Sequence, residues 1–178
     1  MRVVVENQKT NNKESKEDSD ILVSTPEQDE LISLLTKRFP SVPDININHL
    51  QEDIELIIES KNIKSTCRLL KDSSELNFNY LECISLVDYE EKLEAVYHLT
   101  SFKLKQSLVI KTSISVENPE IDSVIDIWRA ADWFEREAHD LFGVTFLGHP
   151  NLEPLLLFEG FEGYPGRKNF PINDYKEW

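Results

Sequence analysis

Along residues 26–39 the apolar positions Leu31, Leu34, Leu35 and Phe39 return every three or four residues. That period predicts a helix with one apolar face. Thr25 is placed to cap it, Pro26 suits the first helical position and Gln28 completes a capping box. Pro40 and Pro43 stop it. Residues 44–60 predict a strand or hairpin, clearest in the run IELIIES. A second helix is expected over 61–72, with Ile63, Cys67 and Leu70 turned inward. Three strands are expected at 80–87, 93–102 and 107–116, rich in β-branched and aromatic residues and joined by short polar turns. Such spacing points to a mostly antiparallel meander. In the middle strand Ala95, Tyr97 and Leu99 share one face, while Val96, His98 and Thr100 make a mixed one. Asn118-Pro119 interrupts, and the stripe Val124, Trp128, Ala131, Phe134, Ala138 and Leu141 predicts the longest helix, over 122–142. Gly143 stands where a left-handed helix cap is needed.

The expected fold is α+β. Helices pack on one face of a small mixed, mostly antiparallel sheet in a two-layer domain over residues 21–143, which ends in the long helix. Residues 144–178 have no period and are rich in glycine and proline, so an extended, irregular arm is expected there. Residues 6–20 contain no large apolar side chain, and the first 20 residues are expected to form a disordered tail.

Charge and cysteine narrow the chemistry. Thirty-three acidic residues face 19 basic ones, a net charge of −14. There is no cluster of lysine and arginine to neutralise phosphates, so neither nucleic acid nor an anionic membrane surface is an expected partner. No apolar run approaches the ~20 residues that span a bilayer, and the N-terminus lacks the apolar core of a secretory signal. Any membrane attachment is expected to be indirect, through a partner. Cys67 and Cys83 do not make a disulfide framework, and two thiols fall short of the four that hold an iron–sulfur cluster. Both are expected in the core of a protein of the reducing cytoplasm.

The densest information lies between residues 128 and 152. Asp132, Arg136 and Asp140 are spaced i, i+4 and i+8, so Arg136 has a carboxylate within reach on either side of a helix. Tryptophans and phenylalanines sit among these charges, a mixture that suits a buried or interfacial network. If the network is fully buried, Arg136→Ala is expected to cost ~3–5 kcal/mol. Glu135, Glu137 and Asp140, with His139 beside them, are the candidates for acid–base work. A charge network at a contact between subunits is the preferred reading of the same residues. Glu135 and His139 lie one turn apart and could share a metal ion with His149 or Asp140, but no H-E-x-x-H spacing is present. Cys67 has Arg68 beside it in sequence, yet adjacent helical residues do not face each other, so a nucleophilic role is not expected.

The segment Glu135-Arg136-Glu137, Asp140-Leu141-Phe142-Gly143-Val144, Phe146 and Gly148-His149-Pro150-Asn151-Leu152 resembles the signature of the C-type subunit of NADH:quinone oxidoreductase, complex I. The preceding Ser123-Val124 and Trp128-Arg129-Ala130-Ala131-Asp132-Trp133 are also similar, and Tyr97-His98-Leu99 more weakly. Residues 160–171 are similar to the family's G-F/W-x-G-H-P-L-R-K-D-F/Y-P, with Tyr164, Gly166 and Asn169 in place of His, Leu and Asp. The resemblance implies a non-catalytic assembly subunit of the peripheral arm, on the cytoplasmic side of a bacterial membrane. It implies packing against the large D-type subunit that forms much of the quinone site, and that partner would order the C-terminal arm. NADH, FMN, iron–sulfur clusters and quinone would all be bound by other subunits, and electron transfer coupled to proton translocation would belong to the complex. The signature and contact residues implied are Trp133, Glu135, Arg136, Glu137, Asp140, Gly143, Phe146, Gly148, His149, Pro150, Leu152, Arg167, Lys168 and Phe170. Two other readings stay open. One is the equivalent subunit of a membrane-bound nickel–iron hydrogenase or formate hydrogenlyase. The other is a stand-alone adaptor or small hydrolase built on Glu135, Glu137 and Asp140.

Overall fold

The alternation of apolar residues in 93–99 and 108–114 is realised as the centre of a five-stranded sheet. A computed structural model of the chain describes residues 26–39, 46–50 and 53–171, with 46–50 and Asp53 as backbone only. The expected tail over 1–20, Thr25, the two helix-ending prolines and residues 172–178 lie outside the described residues. Helix α1 (Pro26–Arg38) is followed by β1 (Asn46–Leu50), β2 (Asp53–Glu59), a 3₁₀ turn at Ser60–Asn62 and α2 (Ile63–Asp72). Then come β3 (Tyr80–Asp88), β4 (Lys92–Ser101), β5 (Gln106–Ser115), β6 (Glu120–Asp122), α3 (Ala131–Phe142) and β7 (Thr145–Leu147).

The sheet order is β1-β2-β5-β4-β3, and β6 with β7 makes a separate parallel pair. β3, β4 and β5 form the expected antiparallel meander, and β1–β2 is a hairpin. β2 joins β5 in parallel, which makes the sheet mixed. The α+β expectation holds, including the mostly antiparallel sheet.

Register sets the core. Leu93, Tyr97 and Leu99 of β4 stand opposite Ile114, Ile110 and Leu108 of β5, and Leu56 of β2 stands opposite Ile110. All of these are at most 2% exposed. Leu31 and Leu35 of α1 and Ile63, Cys67 and Leu70 of α2 close over this face in one apolar cluster. Each fully buried large side chain of this kind contributes roughly 1.5–3 kcal/mol relative to exposure. The opposite face carries Val96 and Val109, and an ion pair between Lys111 and the buried Glu55.

Two sequence expectations change here. Helix α3 begins at Ala131, not at 122. Residues 123–130 form successive tight turns, in which Ile127 and Trp128 N–H both donate to Val124 O and Ala131 N–H donates to Trp128 O. Such turns bring Val124 and Trp128 inward at helical spacing without a continuous helix, so the apolar stripe overran the true start. Ser123 is held away from helical geometry because its N–H donates to Leu147 O, beside the β6–β7 pair. Cys67 is buried as expected, but Cys83 is half-exposed. It follows a register irregularity between Leu81 and Cys83 in β3, which shifts the inward alternation onto Ile84.

A polar clamp between the last helix and the arm as candidate functional site

Helix α3 ends where Gly143 turns left-handed, φ 71°, with its N–H on His139 O at 2.8 Å. A Cβ here would lie 2.5 Å from the Tyr164 ring, so the site selects glycine by conformation and by packing. The chain then pairs β7 with β6 and returns along α3.

That return path is fixed by side chains gripping backbone. The Asp140 carboxylate accepts the N–H groups of Leu155, Leu156 and Leu157 at 3.1, 2.8 and 2.8 Å on one oxygen. Burial raises the Asp140 carboxyl, but these three donors outweigh it and hold it below its ordinary range. One turn earlier, Arg136 donates to the carbonyls of Glu153 and Pro154 at 3.1 and 3.2 Å. The Arg136 pairing expected with Asp132 and Asp140 is not formed. Asp140 is occupied by three amides, and Asp132 Oδ1 instead lies 3.4 Å from His149 Nε2. Arg136 is therefore not a buried ion-pair partner.

Further along, Gly166 N–H donates to Leu141 O at 2.9 Å, and Arg167 Nε to Phe142 O at 2.6 Å. Lys168 N–H donates to Asp88 Oδ2 at the end of β3, and the other Asp88 oxygen takes Glu90 N–H. Burial raises the Asp88 carboxyl, but these amides, with Arg167 and Lys168 nearby, bring it below its ordinary value. Phe158 meets Phe161 edge to face and Phe161 stacks on Phe170, with ring centroids 5.3 and 5.9 Å apart. The departures at Tyr164 and Gly166 have local reasons. Tyr164 covers Gly143, and a Cβ on Gly166 would meet the Phe142 ring and Leu141 O within 2.9 Å. Nothing in the structure explains Asn169.

Behind α3 lies a second, buried group. Glu135 is fully buried, and accepts Ser123 Oγ–H at 2.6 Å and Val124 N–H at 2.7 Å. Burial pushes its carboxyl up to about 7. His149 Nδ1 accepts the N–H of Asn151 at 3.1 Å, and Nε2 stands 4.0 Å from Glu135. His139 Nδ1 contacts Val144 O at 2.9 Å.

The three acid–base candidates are thus separated in role. Glu135 faces inward, Asp140 grips the arm and Glu137 is exposed. Glu135 and His139, one turn apart, do not turn toward a common point, and no group of three or more His, Cys, Asp or Glu among the described residues is placed to hold a metal ion. Phe146 is buried and Leu152 packs against the core, whereas Pro150 and Lys168 are exposed. Trp133 is 64% exposed. Asp88 and the receiving carbonyls of Glu153 and Pro154 escaped the sequence reading. A carboxylate at a strand end and two main-chain oxygens carry no pattern of their own.

The fold and clamp define an α+β domain whose last helix carries an irregular arm on backbone hydrogen bonds. Residues 56–176 match the family described as respiratory-chain NADH dehydrogenase, 30 Kd subunit, and the chain belongs to that family. It is 43% identical over 123 residues to the NADH-quinone oxidoreductase C 2 subunit of Rhizobium etli, covering 67% of this chain and 65% of that protein. The chain thus spans just under two thirds of that relative. The NADH-quinone oxidoreductase C subunit of Roseiflexus castenholzii is 34% identical over 145 residues, covering 79% of this chain and 83% of that one. Among solved structures, a chain of the membrane-bound sulfane sulfur reductase, an archaeal respiratory membrane complex, superposes with TM-score 0.72 at 28% identity, over 82% of this chain and 86% of its own. A trypsin-resistant fragment of Nqo5 shares the fold, with TM-score 0.58 at 24% identity over 71% of this chain and 99% of the fragment. No helix among the described residues is long and apolar enough to cross a membrane.

Proposed function

We propose that the chain is a non-catalytic structural subunit in the peripheral arm of an NADH:quinone oxidoreductase, complex I, packed against the large D-type subunit beside the quinone site. One observation carries this reading: the signature residues are spent on holding the arm rather than on lining a reaction centre. Arg136, Asp140 and Arg167 all bond to main-chain atoms. The arm they hold is apolar on its outside, with Leu156, Phe158 and Tyr164 between 46% and 71% exposed, and Trp133 of α3 and Leu147 of β7 are exposed as well. Aromatic and aliphatic side chains exposed together are characteristic of a contact surface. On this reading NADH, FMN, the iron–sulfur clusters and quinone are bound by other subunits, and attachment to the cytoplasmic side of the membrane is indirect. The activity, electron transfer from NADH to quinone, belongs to the assembly.

The likeness to the sulfane sulfur reductase chain supports a second reading, the corresponding subunit of a related membrane-bound respiratory complex. The two complex I relatives, at 43% and 34% identity against 28%, favour complex I. A hydrolase is disfavoured because Glu135, Glu137 and Asp140 do not converge.

Mild-detergent purification through an N-terminal tag tests the reading. Co-purification of the large quinone-site subunit with NADH-oxidising and iron–sulfur subunits is expected. Recovery with a different reductase's large subunit would move the assignment to the second reading. A clean monomer under several mild conditions would overturn both.

A further inference from the structure

Glu135 and His149 are the buried titratable pair that the clamp does not use. Both side chains are fully removed from solvent, 4.0 Å apart. They belong to different segments, α3 and the turn after β7. The two ring nitrogens of His149 are not equivalent. Nδ1 is an acceptor, because Asn151 N–H points into its lone pair. The neutral ring therefore carries its proton on Nε2, which lies 3.4 Å from Asp132 Oδ1 and 4.0 Å from Glu135. An imidazolium would need a proton on Nδ1 as well, and the Asn151 bond would be lost. Glu135 has no such conflict, since its two oxygens are served by Ser123 and Val124 in either state, the serine hydroxyl being free to rotate.

We propose that Glu135 and His149 form a buried two-proton site in which Glu135 takes the first proton on acidification and His149 the second, and that only the second, landing on Nδ1, breaks the Asn151 N–H bond that folds the turn after β7. The surroundings favour this order. Around Glu135 stand Lys64 and Cys67 from α2, Asp126 from the preceding turns and Tyr97 from β4. Burial outweighs the Lys64 charge and lifts the carboxyl to about 7. Around His149 stand Asp132, Arg136 and His139 of α3. Burial, with Arg136 and His139, outweighs the charge and the main-chain hydrogen bond of Asp132 and lowers the ring below the ordinary histidine value. A lowered histidine contributes stability that is complete above its unfolded value and is lost as the pH falls through the folded one. A raised carboxyl acts oppositely: its contribution is complete below its unfolded value and fades as the pH rises to about 7. The turn after β7 is thereby held by a bond, Asn151 N–H to His149 Nδ1, that acid breaks.

An NMR titration of the full chain, following the His149 ring carbon-bound proton and the Asn151 amide, reads both steps. The His149 signal should show a small upper step as Glu135 binds its proton and a large step below the ordinary histidine value of about 6.5. The Asn151 amide should move with the lower step alone. In Glu135→Gln the upper step should vanish and the lower one remain, because a neutral amide stands in for the protonated acid. A single His149 step near 6.5 in the wild type, an upper step that survives in Glu135→Gln, or an Asn151 amide that follows the upper step would each overturn the proposal. Should Glu135→Gln fail to fold, the number of wild-type steps and the Asn151 response still decide it.

Discussion

Around β4, Leu93, Ala95, Tyr97 and Leu99 are at most 1% exposed, and the two N-terminal helices meet them with leucine, isoleucine and cysteine. Between residues 153 and 170 every side chain is exposed or half-exposed, and the backbone is held by Arg136, Asp140, Asp88 and the C-terminal carbonyls of α3. The first region is stabilised by removing area from water, which is non-directional and tolerant of which apolar residue does it. The second depends on particular donors and acceptors at particular places, and keeps its apolar side chains outward. One region builds the domain; the other builds a surface and leaves it uncovered.

The contrast is sharpest under mutation. Phe78, fully buried and capped by the Trp128 Nε1–H on its carbonyl, belongs to the first region. Phe78→Ala should cost about 3–5 kcal/mol, read as a loss in the urea unfolding midpoint of the whole chain. Asp140→Ala should cost about 2 kcal/mol by leaving three amides without their acceptor, and the damage should stay local. Proteolysis should open residues 153–161 while β4 and β5 remain protected. Global unfolding of that variant would erase the distinction between the regions. The Asp140 contribution also has a sign with pH. Its carboxyl is lowered in the folded chain, so its stabilisation is complete above the ordinary aspartate range and fades as the pH falls through the lowered value. The difference in stability between wild type and Asp140→Asn should shrink on acidification.

Smaller effects follow at Arg136 and Glu137. Half-exposed Arg136 donates to two carbonyls, so Arg136→Ala should cost about 1 kcal/mol of isolated stability rather than the ~3–5 of a buried ion pair. Exposed Glu137→Ala should stay within about 0.5 kcal/mol. A large loss of complex assembly from either, with the isolated chain intact, would place the residue at the partner surface.

The two regions were also legible in different ways. Period-two and helical patterns found the sheet and α2 because burial imposes them directly, and they misplaced the start of α3 because the turns at 123–130 bury Val124 and Trp128 at the same spacing. The clamp appeared as a signature, Glu135-Arg136-Glu137 through Leu152, without its geometry. Spacing i, i+4 matched Arg136 with Asp132 and Asp140, whereas the true partners are main-chain atoms some 17 residues on, which leave no mark in residue type. Asp88 was invisible for the same reason: its partner is the Lys168 amide, 80 residues away.

The clamp predicts that residues 153–170 keep their path in the free chain; the alternative is the arm the sequence leads one to expect, ordered only by a partner. Amide hydrogen exchange of the purified full chain tests this at Leu155, Leu156, Leu157, Gly166 and Lys168. Slow exchange at all five in the wild type, with selective loss at the three leucines in Asp140→Ala, is the predicted result. Exchange at unstructured-chain rates in the wild type, slowing only when the large partner is added, would contradict it.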